Sequence, residues 1–194
     1  MMKPIVILLA ALGLLSACAS GGDKSLTGAA LEAAGLRKPV PPSEAQLGPR
    51  NVALKLHAAK RLNVDKRGQS LALLVRVYKL RQRAAFEQAP YAAFLSSQAE
   101  REALGADLIE VKELTLVPGQ QLELADKLAR EAGWIGVVAL FHSPAREGWR
   151  LDFSALEAEK SGVTVGLHAC AMSVGQGAPA GNATGKPLSL VRCQ

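Results

Sequence analysis

The chain is poor in aromatic residues, with two Trp, two Tyr and four Phe in 194 positions, and none lies within 60–67, where its basic residues gather. A nucleic-acid surface needs stacking rings beside a basic face. Lys and Arg form no block beyond the loose cluster Lys60, Arg61, Lys66 and Arg67, so the net charge of +6 reads as a solvated basic surface and nucleic acid is not an expected partner. Histidine is scarce as well: His57, His142 and His168 stand far apart and lack metal-ligand spacing. His57 is expected at the surface, His142 at a strand end, and His168 as a satisfied core residue. There is no Gly-x-Ser-x-Gly elbow. Gly175, Gly177 and Gly181 miss the dinucleotide spacing. Glu100 and Glu102 fall in a predicted helix and read as solvated. Neither an enzyme nor a metal or cofactor protein is expected from such a set. Disorder is excluded too, because 49% hydrophobic residues suffice for a core.

The chain also lacks an apolar run long enough to cross a bilayer as a helix. The eleven residues Ile5 to Leu15 are too short for that, but with Lys3 before them they fit the core of a signal peptide. Leu15-Ser16-Ala17-Cys18 follows and resembles the bacterial lipobox. Small residues at 16 and 17 suit a peptidase site, and Cys18 offers a thiol for acyl transfer. The alternative is an ordinary signal peptide with a coincidental cysteine. The expected organisation is a signal peptide over 1–17, lipidated Cys18 with a flexible tether over 18–48, and a domain over 49–194. One acyl chain holds a protein only marginally, at about 0.8 kcal/mol per buried CH₂, whereas three on one residue make release negligible. Ala19, rather than Asp, points to the outer membrane with the domain in the periplasm. The tether is rich in Ala, Gly, Pro and Ser; about 30 such residues span roughly 30 Å.

Only three cysteines occur. Lipidation of Cys18 leaves Cys170 and Cys193, an even pair for an oxidising compartment, predicted to form a disulfide. Two buried free thiols are the alternative.

Hydropathy patterning predicts a mainly β domain. Val52, Leu54, Leu56 and Ala58 alternate with Ala53, Lys55 and His57. A loop over 59–70 precedes a β-rich run over 71–80. Phe86, Tyr91, Phe94 and Leu95 recur at helical intervals, giving one or two short helices over 84–104, broken at Pro90 and stopped by Gly105. Strands are expected again at 109–117 and 134–141, the latter a continuous apolar run fit for a central position. Further strands are expected at 149–153, 162–174 and 188–193, with 175–185 as a loop. Gln121 to Leu128 is ambiguous between strand and helix. Trp134 and Trp149 read as core anchors. Seven or eight strands favour a two-sheet sandwich, with the helical stretch packed on an edge or end.

The loop Lys60, Arg61, Leu62, Asn63, Val64, Asp65, Lys66, Arg67, Gly68, Gln69 is long for a connection between neighbouring strands. Long loops on rigid sandwiches are common recognition elements; a merely tolerated surface loop is the other reading. Deleting it is expected to leave folding intact.

An ordered set of segments carries a resemblance. Leu62-Asn63-Val64-Asp65, Gly68 and Leu74 to Leu80 come first, followed by Ala85-Phe86 and Leu104 to Leu108. Glu113 to Gly119, Gly136 to Phe141 and Trp149-Arg150 complete it. Together they resemble the type VI secretion lipoprotein family, TssJ (also SciN or VasD), over about 54–150. The family often has Pro where Val64 stands, and a Pro-bearing stretch where 69–72 stand. The resemblance implies a transthyretin-like two-sheet β-sandwich with a small helical addition. It implies a structural role as outer-membrane anchor of the trans-envelope complex. The implied partner is the periplasmic C-terminal region of the inner-membrane IcmF-like protein, TssM, within a complex of further type VI subunits. The loop Lys60 to Gln69 would contribute to that contact. Arg61, Lys66 and Arg67 would steer an acidic partner, and Leu62 and Val64 would add apolar contact. Rival readings are a lipid-anchored envelope enzyme and a pilotin-like secretion chaperone.

Overall fold

The computed structural model describes residues 47–179 and Cys193. The predicted signal peptide, Cys18 and nearly all of the predicted tether therefore lie outside the described residues, as does the predicted strand 188–193 except for Cys193.

Two four-stranded sheets face each other. Strands β1 (Arg50–Ala58), β4 (Gln121–Leu128), β7 (Val163–Leu167) and β8 (Met172–Gln176) form the first, in the order β4-β1-β7-β8. Strands β2 (Leu73–Leu80), β3 (Leu108–Leu116), β5 (Trp134–Ala139) and β6 (Arg150–Ser154) form the second, in the order β3-β2-β5-β6. β1 runs antiparallel to β4 and parallel to β7, whereas the second sheet is antiparallel throughout. Alternation decides which side chains meet between the sheets. Leu54, Leu56, Val75, Val137, Leu151 and Val165 are all at most 2% exposed there. Gln121 to Leu128 is a strand: its alternate residues are half-buried, and it pairs with all but the last residue of β1. The predicted strand over 162–174 is two strands, since the chain turns back at 168–171 and His168 N–H donates to Ala171 O at 3.0 Å. The loop expected from 175 begins two residues later, where β8 ends at Gln176.

Among the described residues three short helices accompany the sheets: α1 (Ala84–Gln88), α2 (Ser97–Leu104) and α3 (Ala155–Ser161). A 3-10 turn, Tyr91–Leu95, follows the break at Pro90. Helix α3 links β6 to β7 and falls in a stretch to which the hydropathy pattern assigned no element. The α1–α2 insertion lies over the outer face of the second sheet and not at an edge or end. The reason is on that face. Tyr78 of β2 stands opposite Gly136 of β5, and the Phe86 ring occupies the space Gly136 leaves: a Cβ there would lie 2.7 Å from Phe86 Cζ. Tyr78, Phe86 and Phe94 form a triangle with centroids 5.4–5.8 Å apart, and Trp149 adds to it, 5.6 Å from Phe94 and 5.0 Å from Tyr91. Tilted and edge-on rings at such spacings attract beyond simple burial. Five of the eight aromatic residues thus fasten the insertion.

Charges fasten it as well. Arg150 of β6 donates to Phe86 O at 2.9 Å and Ala89 O at 2.5 Å, covering carbonyls that the end of α1 leaves free. Arg76 of β2 donates to Phe94 O at 2.9 Å and pairs with Glu100 of α2 at 3.0 Å. Glu100, expected to be solvated, is 4% exposed and also accepts the Tyr78 hydroxyl. Burial first, then Glu100, pushes the Tyr78 hydroxyl pKa upward. Burial is the largest influence and works against the Arg76 charge, yet Glu100, Tyr78 and Glu113 together outweigh it and its pKa is raised.

Candidate functional site: the pole of the β1–β2 loop

Four connections gather at one end of the sandwich: β1–β2 (59–72), β3–β4 (117–120), β5–β6 (140–149) and β7–β8 (168–171). The chain enters at the opposite end, where Arg50 pairs with Leu128. The nine residues of β1 separate the two poles by about 30 Å.

The loop Lys60 to Gln69 has a buried base and an exposed tip. Leu62 is 0% exposed and belongs to the core. It offers no surface to a partner, which corrects its expected role; deleting 60–69 would open the core. Asn63, 5% exposed, sits at φ 45°, a left-handed conformation that Asn tolerates better than most residues. Its Nδ2 donates to Ala72 O at 2.7 Å, and its Oδ1 accepts the His142 N–H at 2.7 Å. Its own N–H donates to His168 O at 3.1 Å, and the Val64 N–H to Ala169 O at 2.9 Å. One asparagine therefore ties the β1–β2 loop to two neighbouring connections. Val64 is half-buried and bridges Ser70.

Above this base the chain makes a tight turn. Asp65 Oδ1 accepts the N–H groups of Arg67 at 2.9 Å and Gln69 at 2.8 Å, and the Gly68 N–H reaches Asp65 O at 3.0 Å. Asp at the first and Gly at the fourth position suit such a turn, and Gly68 takes φ 79°. Lys66 and Arg67 are thereby displayed in solvent, with Lys60 and Arg61 exposed at the loop's shoulder. The Asp65 carboxylate is spent on the turn and does not pair with them.

Cys170 and Cys193 are joined at this pole, with Cα atoms 5.5 Å apart. Ala145 N–H donates to Cys170 O at 2.9 Å, and Ala145 bridges Cys193. His142 is exposed. His57 lies half-buried on the outer face of the first sheet. His168 is on that same outer face rather than in the core: its Nε2 lies 2.8 Å from Ser173 Oγ, and partial burial lowers its pKa. Trp149 is buried, whereas Trp134 is half-buried beneath Arg83, whose guanidinium carbon lies 4.9 Å from the ring centroid. Among the described residues no three His, Cys, Asp or Glu side chains are grouped to hold a metal, and no helix is long and apolar enough to cross a membrane.

Comparisons with known proteins agree with this architecture. The family model described as type VI secretion lipoprotein, VasD, EvfM, TssJ, matches residues 50–170. The T6SS lipoprotein TssJ1 from Pseudomonas aeruginosa is 30% identical, with a TM-score of 0.60 over 69% of this chain and 99% of that one. Serratia marcescens Lip, described as a membrane bound component of the type VI secretion system, is 22% identical, with a TM-score of 0.57 over 65% and 96% of the two chains. A chain of the structure described as the T6SS protein TssM C-terminal domain from EAEC is 24% identical, with a TM-score of 0.56 over 64% and 96%. The last two likenesses concern the fold. No curated protein matches the chain. With its two-sheet β-sandwich and a family match running from β1 through the β7–β8 turn, the chain belongs to the type VI secretion lipoprotein family of TssJ and VasD.

Proposed function

We propose that this protein is a non-enzymatic, lipid-anchored component of the type VI secretion membrane complex. It holds the trans-envelope assembly to the outer membrane by binding the periplasmic C-terminal region of the inner-membrane IcmF-like protein, TssM. Its signal peptide covers 1–17 and acyl chains sit on Cys18. Residues 18–48 act as the tether, and the sandwich from 49 onward faces the periplasm, its tail pinned by the Cys170–Cys193 disulfide. The partner side of this reading is supported by a similar chain in the structure described as the TssM C-terminal domain, and by another, with a TM-score of 0.59, in one described as a type VI membrane complex.

The observation that carries the reading is the polarity of the domain. The tether enters at Gly48–Arg50, and the basic tip Lys66–Arg67 stands at the opposite pole. A domain held at one end presents the other to a protein crossing the periplasm. Confinement near the membrane raises the effective concentration for that encounter. The contact surface within Lys60 to Gln69 is Lys60, Arg61, Lys66, Arg67 and half-buried Val64, while Leu62 and Asn63 support it from below.

Calorimetric titration of the full mature chain in detergent with the partner's periplasmic region tests the loop. Lys66→Glu with Arg67→Glu is expected to weaken binding at least tenfold while the melting temperature stays unchanged. Unaltered affinity would remove the loop from the interface.

A further inference from the structure

Unpartnered positive charge at the loop pole extends beyond the β1–β2 loop. Lys60, Arg61, Lys66, Arg67 and, from the β5–β6 connection, Arg146 are exposed and form no ion pair among the described residues. Cations elsewhere mostly have carboxylate partners: Arg76 with Glu100, Lys79 with Asp126 and Glu110, Arg81 with Glu131. Of the acidic residues at the pole, Asp65 spends Oδ1 on two backbone amides, and Glu147 is also engaged.

The two basic loops are built into one support. Val64 is bonded to Ala169, and Ala145, next to Arg146, is bonded to Cys170, so the loops hold consecutive residues of one turn. The Asn63 side chain links the same two loops through the His142 N–H. Charges fixed in mutual position on a rigid base select for complementary geometry in a partner, which long side chains on separate mobile loops cannot do.

We infer that Arg146 of the β5–β6 connection belongs to the docking surface together with Lys60, Arg61, Lys66 and Arg67, and that this composite cationic pole recognises an acidic protein surface. The inference rests on the proposed binding to the inner-membrane partner and adds a second loop to it. A protein surface is favoured over lipid because the pole stands opposite the end at which the tether enters. Asn63 is the positioning residue of the pole.

The test titrates the partner's periplasmic region with the full mature chain and with Arg146→Glu, Lys66→Glu/Arg67→Glu and Lys127→Glu variants, at low and physiological salt. Lys127 is an exposed cation near the tether end, on the outer face of the first sheet. Arg146→Glu should weaken binding about tenfold at low salt, with the gap narrowing as salt rises, while Lys127→Glu leaves affinity unchanged. Arg146→Gln repeats the test should the charge reversal lower the melting temperature. Loss in the β1–β2 variant but not in either Arg146 variant would overturn the composite surface and leave the proposed function standing. No binding by the unaltered chain would overturn both. Equal loss with Lys127→Glu would reduce the effect to net charge and also overturn the inference. So would variants that keep protein affinity but lose binding to phosphatidylglycerol vesicles, since the pole would then be a lipid contact.

Discussion

Asn63 occupies a backbone conformation that β-branched residues avoid and uses both ends of its amide on groups in other segments. Asn63→Gly keeps the conformation but strands a carbonyl and an amide, so a loss of about 2 kcal/mol is expected in denaturant unfolding. A loss below about 0.5 kcal/mol would mean the amide is not a support. The Arg76–Glu100–Tyr78 cluster makes a sharper case. Removing one partner of a buried ion pair leaves the other uncompensated, so Arg76→Ala should cost about 3 kcal/mol and loosen the insertion. His168 adds a pH dependence. Its pKa is depressed in the folded state, so the unfolded state takes up the proton more readily. The contribution is full above about 6.5 and is lost as pH falls from there through the folded value. His168→Gln should therefore flatten the unfolding free energy between pH 7 and 5, and an unchanged slope would contradict this. These roles were hard to read from residues alone. Leu62 and Asn63 lie where no long hydrophobic period runs, and Glu100 sits on a helix of eight residues, so nothing local says that Leu62 turns inward or that Glu100 meets a cation 24 residues earlier.

At the scale of elements, the apolar run of β5 was legible because both faces of that strand are covered, one by the core and one by the insertion. β1 was equally legible, since its inward residues are buried and its outward ones exposed or half-buried in strict alternation. β4 was ambiguous: Leu, Glu, Ala and Lys favour helices, and only pairing with β1 decides the matter. Helix α3 is seven residues long, too short for a period to emerge. The insertion was legible as helix but not as a layer, because its seat is a missing side chain, Gly136, far away in sequence. Gly136→Val should overpack Phe86, at a cost of about 1–3 kcal/mol with a weakened near-ultraviolet signal from the aromatic cluster. An unperturbed signal would show that Phe86 does not rest there.

For the whole molecule, the decisive features are its two poles and the covalent tie at one of them. Residues 170 and 193 enclose a short segment, so opening the disulfide should lower stability by about 3 kcal/mol on the chain-entropy estimate. Thermal unfolding of Cys193→Ser against the oxidised parent measures this, and two free thiols by non-reducing mass spectrometry would refute the pairing in the mature protein. The family was legible from ordered short segments, none sufficient singly, because each marks a fixed place in one fold: the turn at Gly68, the cover over Tyr78, the paired strands between. The polarity was not legible, since it depends on strand direction within the sheets. In the proposed function one chain links lipid at one end to a protein at the other. The most direct measurement is the fraction of the IcmF-like partner recovered with outer-membrane vesicles after detergent-free separation. The unaltered chain should retain the partner there, while Cys18→Ala and Lys66→Glu/Arg67→Glu should each release it, the first by freeing the lipoprotein as well and the second with the lipoprotein still bound. Equal partner recovery in all three would contradict the account.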